Sequence, residues 1–306
     1  MVARTLVPTL FLTGVIRIPR AGRWHRIQPV GSSATRRSAY RRLRVSARFL
    51  LLACAFGAFT SLLWAQADQP VPRADQNSRT AHEQLLAKAK QGGIDVYFEG
   101  DSITRRWGAT DYPQFLENWT KNFFGWNAGD FGWGADRVEH ILWRLENGEL
   151  DGVNPKVIVL LAGTNNVGNA IPPTGIDAAV EEITRGLKAV VHTMQAKAPN
   201  AVIIVTGIFP RNDNMAVVPE IDRINGNLAA MADGRRVRYL NVNTQLADPA
   251  GKLHEGMMNA NDKLHPTLQG YQVWADALKP LLTELLGPPA KEDHAPPATG
   301  DPSARK

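Results

Sequence analysis

A single cysteine, Cys54, in 306 residues excludes an internal disulfide framework and a zinc site built from several thiolates. Its place inside an apolar run makes it the residue least suited to chemistry. Acidic residues are absent from positions 1–48, which carry 11 arginines and no lysine. The formal charge of +6 is therefore a property of the N-terminus. The other 258 residues hold 24 basic and 29 acidic side chains, a net of −5. A nucleic-acid-binding body should be basic on the body itself, so that class is excluded. No internal repeat is present. Gly132-Trp133-Gly134 lacks the spacing of a phosphate loop or a dinucleotide fingerprint and follows the wrong strand, which excludes nucleotide binding. Asp101 has Ile103, not a second aspartate, two residues on, so an aspartyl phosphoryl-transfer site is discarded too.

Long apolar runs are scarce. The longest, Phe49 to Ala65, has 17 residues, the lower edge of a membrane-spanning length. It follows the Arg-rich stretch and ends near small residues at Ala65 and Ala67, and so reads as a secretory signal cleaved after Ala67. The stretch before it is long for a signal, which points to a start downstream of Met1. A retained membrane anchor is the alternative reading. Leu51-Leu52-Ala53-Cys54 faintly resembles a lipoprotein box, but the apolar run continues past Cys54. The pairs Arg36-Arg37 and Arg41-Arg42 raise a twin-arginine route, with Arg44 where an apolar residue is wanted. The expected division is an Arg-rich N-terminus and signal over 1–67, a lead-in over 68–93, one domain over 94–286, and a tail over 287–306. Its Pro-, Ala- and charge-rich composition predicts disorder for the tail. A secreted or periplasmic location follows, with no stable membrane partner after cleavage.

From Ile94 short apolar runs alternate with helical patterns. Strands are expected at Ile94–Phe98, Phe123–Asn127, Val157–Leu161, Val202–Thr206 and Val237–Leu240. Helices are expected near Tyr112–Trp119, Val138–Asn147, Ile176–Lys197, Pro219–Asp233 and His265–Leu286. In the last, Leu268, Tyr271, Ala275, Leu278, Leu282 and Leu285 share one face. The alternation predicts an α/β fold with a five-stranded parallel sheet. Ligands of such a sheet bind beyond the carboxyl ends of its strands. Four of those ends carry Gly100-Asp101-Ser102, Gly129 to Asp136, Gly163-Thr164-Asn165-Asn166 and Asp262-Lys263-Leu264-His265.

Together these supply the parts for acyl transfer through a serine. Ser102, where a strand turns into a helix, offers a hydroxyl for attack and an N–H for an oxyanion. Neutral His265 suits the task of taking its proton near pH 7. Asp262, three residues away, is within a tight turn of imidazole Nδ1, where it would fix the tautomer and stabilise the imidazolium. The amide of Asn165 and a backbone N–H near Gly134 and Ala135 are candidate oxyanion donors. Each part has a plainer reading. Asn165 and Asn166 suit Asx-turns, Asp262 could cap the last helix, and the glycines could be ordinary turn residues. The co-occurrence of all four at the same end of one sheet favours chemistry.

These four blocks resemble those of the SGNH (GDSL-type) hydrolases. The similarity is closest to the subgroup of the intracellular platelet-activating-factor acetylhydrolase catalytic subunits, through Ile141 to Leu150, Pro155-Lys156 and Gly207 to Arg211. The resemblance implies a three-layer, flavodoxin-like fold, Ser102 as nucleophile, His265 as base and Asp262 as its orienter. It further implies oxyanion donors from Ser102, Asn165 and a second-block backbone N–H, with neither metal nor cofactor. The family's donor glycine falls just before an aspartate, and here Ala135 stands there. The expected activity is a serine esterase or acylhydrolase that cleaves short-chain esters, acetyl above all, of a small-molecule or carbohydrate alcohol. Alternatives are a lysophospholipase- or lipase-type hydrolase, or a non-catalytic carbohydrate- or lipid-binding protein on the same scaffold. Between Ile94 and Leu286 no inserted amphipathic lid suits a lipid surface. Trp107 and Trp133 could wall a small pocket or stack on a sugar ring, or simply pack in the core.

Overall fold

Short β-branched and aliphatic runs become the middle of a sheet because they are covered on both sides. In the computed structural model, which describes residues 66–169 and 175–304, β1 (Val96–Gly100) and β3 (Val157–Leu161) are buried at every position. β4 (Val202–Thr206) lies beside β3, β5 (Val237–Leu240) closes one edge and β2 (Ala128–Asp130) the other. The order is β2-β1-β3-β4-β5 and every pairing is parallel. Gly100 at the end of β1 registers with Leu161 at the end of β3, so the segments that follow them emerge side by side. Cys54, the arginine pairs and the long apolar run lie outside the described residues.

Helices cover both faces. α1 (Gln76–Ala89), α4 (Val138–Arg144), α5 (Gly175–Lys197) and α6 (Val218–Met231) contribute to a mostly aliphatic layer with Leu85, Ile141, Leu187, Val190 and Ile224. α2 (Ser102–Gly108), α3 (Pro113–Phe123) and α8 (Leu268–Leu286) contribute to an aromatic layer on the opposite face. There Trp107 stacks on Tyr271 at 4.9 Å, and Phe98 meets Trp119 edge-on at 4.5 Å. The short α7 (Asn243–Leu246) follows β5. Among the described residues, no helix is long and apolar enough to cross a membrane.

The expected strands at Val157–Leu161, Val202–Thr206 and Val237–Leu240 have those bounds. The second strand does not. Phe123 ends α3, and Gly125 (φ 86°) and Asn127 (φ 51°) adopt left-handed backbone that no strand admits. Phe123 and Trp126 are apolar because they seal the aromatic core around a tight connection, not because they alternate across a sheet. The last helix starts at Leu268, where the Thr267 hydroxyl accepts the Gly270 N–H at 3.3 Å. Leu268 is 43 % exposed and Trp274 takes its expected place in the core. Residues 287–304 also differ from the disorder expected of them. They run along the domain as an irregular strap, with Ala290 N–H donating to Gly125 O and Asp293 accepting from the N–H groups of Gly125 and Asn127. Backbone complementarity supplies what their composition lacks in apolar side chains.

Candidate active site

Ser102 is the first residue of α2, so its N–H is among those a helix leaves without an intrahelical acceptor. Asp101 caps the helix, its Oδ1 accepting Ile103 N–H at 2.9 Å. Burial pushes Asp101 up to about 7, and its Oδ2 has no partner among the described residues. Ser102 Oγ lies 2.8 Å from His265 Nε2. His265 Nδ1 lies 2.9 Å from Asp262 Oδ2. The three residues expected to act together from β1 and from a loop 160 positions later are thus in hydrogen-bond contact.

The turn that carries the pair has a local cause. Asp262 Oδ1 accepts the N–H groups of Leu264 at 3.1 Å and His265 at 3.0 Å, an Asx-turn, with Lys263 in left-handed backbone between them. One carboxylate oxygen shapes the turn and the other holds the imidazole. Burial works against the Asp262 charge, but the two backbone donors and the His265 ring hold its carboxyl below the ordinary value. Burial and the Arg106 guanidinium hold His265 below its ordinary value despite Asp262, so the ring is neutral near pH 7. The capping alternative for Asp262 fails, since Thr267 caps that helix.

The second block reaches Ser102 through close backbone approach. Trp133 N–H donates to Gly100 O at 3.1 Å. A Cβ on Gly132 would lie 2.7 Å from Arg105 N and 2.9 Å from Asp101 O, so only glycine passes there. Ala135 is exposed and has φ 61°, a left-handed conformation that glycine adopts more readily than alanine. Asn165 donates one amide hydrogen to Asp136 O at 2.8 Å, leaving its second N–H for another acceptor. Asn166 accepts Val138 N–H at 2.9 Å and donates to Glu139 Oε2 at 2.9 Å, so it ties its loop to the start of α4 and does not make the Asx-turn weighed for it from sequence. No hydrogen bond joins Gly134, Ala135 or Asn165 to Ser102 among the described residues.

Sequence reasoning missed the cations that hold these loops. Arg106, one turn into α2, reaches Asp262 Oδ2 at 3.4 Å. Arg73, from the lead-in, donates to Gly134 O and to Asp136 Oδ1, each at 3.1 Å. Arg144 donates to the other Asp136 oxygen at 2.5 Å and to Glu149 at 3.1 Å. Arg211 donates to Thr164 O at 2.8 Å, linking the third block to the segment after β4. Burial pushes Asp136 up to about 6 against the pull of Arg144 and Arg73. Arginines four residues from the nucleophile or in a lead-in carry no spacing signal, because partners so distant in sequence are matched only by the fold. Trp107 and Trp133 resolve as core residues, with their ring N–H groups bonded to Asn118 and Ser78. Among the described residues no cluster of three metal-ligating side chains occurs.

A sheet of this order with a serine, a histidine and an aspartate gathered beyond its strand ends defines the class of α/β ester hydrolases. Comparison with known proteins narrows the class. Residues 98–273 match the model of the GDSL-like Lipase/Acylhydrolase family, and the chain belongs to that family. Bovine platelet-activating factor acetylhydrolase IB subunit alpha1 is 31% identical over 239 residues, which span 75% of this chain and 94% of that protein. The human alpha1 subunit is 32% identical over 229 residues, 72% of this chain and 90% of that one. Of solved structures, a GDSL-like lipase from Bacteroides thetaiotaomicron superposes with TM-score 0.53 at 18% identity, over 69% of this chain and 98% of that one. A member of the lipolytic protein G-D-S-L family from Veillonella parvula gives TM-score 0.51 at 20% identity, over 63% and 100%. The chain is an ester hydrolase.

Proposed function

We propose that this hydrolase uses Ser102, His265 and Asp262 to remove a short acyl group, acetyl above all, from a polar, sugar-like alcohol, outside the cytoplasm. The observation that carries the reading is the continuous relay from Ser102 Oγ through the His265 ring to Asp262, at 2.8 and 2.9 Å. In it, Ser102 Oγ attacks the ester carbonyl as His265 Nε2 takes the hydroxyl proton. Asp262 stabilises the resulting imidazolium from the Nδ1 side. The oxyanion is met by Ser102 N–H, the free N–H of Asn165 and a backbone N–H of Gly134 or Ala135. The tetrahedral intermediate collapses, His265 returns the proton to the leaving alcohol, and an acyl-Ser102 ester remains. Water, deprotonated by His265, attacks that ester; collapse releases the carboxylic acid and restores the serine hydroxyl.

Relatives named for an acetylhydrolase support the short acyl group. The polar alcohol is supported by the lack of an inserted amphipathic lid among the described residues between β1 and α8. Fluorophosphonate labelling tests the nucleophile: the label should attach to Ser102 and be lost in Ser102→Ala, and persistent labelling would overturn the assignment. A tight acyl pocket discriminates by about 1–3 kcal/mol per methylene. kcat/KM should therefore fall steeply from acetate to butyrate to octanoate esters. A flat or rising profile would move the reading to a lipase or lysophospholipase.

Export is proposed with cleavage after Ala67. That residue is buried against Gly186, and its neighbour Asp68 pairs with Arg185 at 2.7 Å. Cleavage would release the first contact and keep the second. N-terminal sequencing of the exported protein should read from Asp68.

A further inference from the structure

The loop proposed to bind the oxyanion is tied to the protein surface by a chain of charges that ends on a histidine. Asp136 O accepts one amide hydrogen of Asn165 at 2.8 Å, so the backbone at Asp136 sets where the other hydrogen points. The buried Asp136 carboxylate takes Arg73 on Oδ1 and Arg144 on Oδ2. Arg144, buried as well, extends a second nitrogen to Glu149 Oε1 at 3.1 Å. At the far end, His82 Nδ1 lies 2.5 Å from that same oxygen. His82 belongs to α1, and its side chain is 12 % exposed.

One guanidinium here serves two buried carboxylates. Asp136 has Arg73 as a second cation, whereas Glu149 pairs only with His82 besides Arg144 among the described residues. The Glu149 side chain has no exposed surface, and its Oε2 has no partner among the described residues. The two bonds at Oε1 therefore hold its whole charge. Burial and the Glu149 carboxylate push Glu99 well above the ordinary carboxylate range, so it adds no further charge to the cluster. A buried carboxylate short of a donor draws the nearest cation to itself, because an unpaired charge inside a fold is strongly destabilising. Without His82, Arg144 would shift toward Glu149 and slacken on Asp136.

Packing alone does not account for a histidine at this place. Its ring centre lies 4.8 Å from that of Trp143, a contact open to any aromatic ring. The ring nitrogen matters only to Glu149, and facing a carboxylate that can only accept, it carries the proton. One turn earlier, α1 meets the same loop directly, where Ser78 Oγ accepts the Trp133 ring N–H at 2.8 Å. We infer that His82 is a positioning residue: by donating to Glu149 it leaves Arg144 to hold Asp136, and so aims the Asn165 amide. The inference rests on the proposed role of Asn165 as an oxyanion donor.

The test uses full-chain variants and the ester of the acetate-to-octanoate series that turns over fastest. His82→Phe keeps a ring against Trp143 and loses the donor; its kcat should fall about tenfold with KM little changed. His82→Asn loses the ring but carries an N–H₂ near the place of Nδ1, and should recover most of the loss. A residue that only fills space gives the reverse order, with Phe the better substitute. His82→Ala, with neither ring nor donor, repeats the comparison with Asn should Phe not be accommodated. In an Asn165→Ala background, His82→Phe should lower kcat by about twofold or less, because the group it aims is already gone. Normal kcat in His82→Phe, a raised KM alone, Phe or Ala equal to or above Asn, or a full tenfold loss on top of Asn165→Ala would each overturn the inference. Unchanged kcat in Asn165→Ala itself would overturn the oxyanion reading, and this inference with it.

Discussion

The two sides of Ser102 are built in opposite ways. On one side the Asp262–His265 turn is held by its own carboxylate, over three residues. On the other, the loop Trp133–Asp136 and Asn165 are held by cations from the lead-in and from α4, with Asp136 taking Arg73 on one oxygen and Arg144 on the other. The side of the proposed base is shaped mainly by its own carboxylate, with Arg106 reaching Asp262 at 3.4 Å, and is partly solvated. The side proposed to bind the oxyanion rests on buried charges that must each find a partner, since one left alone is destabilising by about 3–5 kcal/mol. Local geometry suffices to hold a proton relay, whereas backbone N–H groups can be aimed only by fixing the whole loop that bears them.

Breaking the relay should have the largest effect. Ser102→Ala and His265→Ala should each lower kcat by about 10⁴–10⁶, as members of one unit, without loss of folding, since both lie in loops or at a helix start. Asn165→Ala is next. Loss of an oxyanion donor should lower kcat by about 10²–10³ with KM little changed. A raised KM with normal kcat would make Asn165 a substrate-binding residue instead.

Arg73→Ala touches the oxyanion side without touching substrate. Misplacement of the loop should lower kcat by about ten- to a hundredfold, and Arg73→Lys should restore part of it. An equal loss of kcat in a matched variant on the base side would erase the contrast between the two sides. Arg106→Ala probes that side through pH. As the proposed base His265 must be neutral, so kcat/KM should rise as pH rises through its pKa, which lies below the usual value of 6.5. Removing the Arg106 charge should raise that pKa and move the acid limb to higher pH; the pH profile of kcat/KM reads it directly. The smallest effect belongs to Ala135→Gly. Relief of left-handed backbone at φ 61° should add up to about 1 kcal/mol in urea unfolding, less the entropy that glycine loses.

What could be read from the sequence divides along the same line. The relay residues sit next to strand ends, and strand ends are legible because continuous apolar runs such as Val157–Leu161 have few other uses. Asp262 and His265 are near neighbours, so their pairing needed only a turn. Arg73 and Arg211 matter because of partners 63 and 47 positions away, and Arg144 because it shares Asp136 with Arg73, and nothing in their surroundings separates them from surface arginines. Phe123–Asn127 misled for a related reason. Its apolar residues face the aromatic core from a helix end and a left-handed turn, and composition alone does not distinguish that from an edge strand.

The strap over 287–304 separates two ideas that are easily merged, the extent of a family resemblance and the extent of a stable object. The matched region ends at residue 273 and α8 at Leu286, so Gly287 looks like a natural place to cut. Past it, however, Asp301 accepts from Asn77 of α1 at 2.9 Å and its N–H bonds to Asp111, while Thr299 O takes the Thr110 N–H. The strap also satisfies Gly125 and Asn127 beside the three-residue edge strand β2. A protein shortened at Gly287 would keep every residue of the relay and lose the cover of its weakest margin. Its failure would appear in storage rather than in assay, as slow self-association through an uncovered sheet edge.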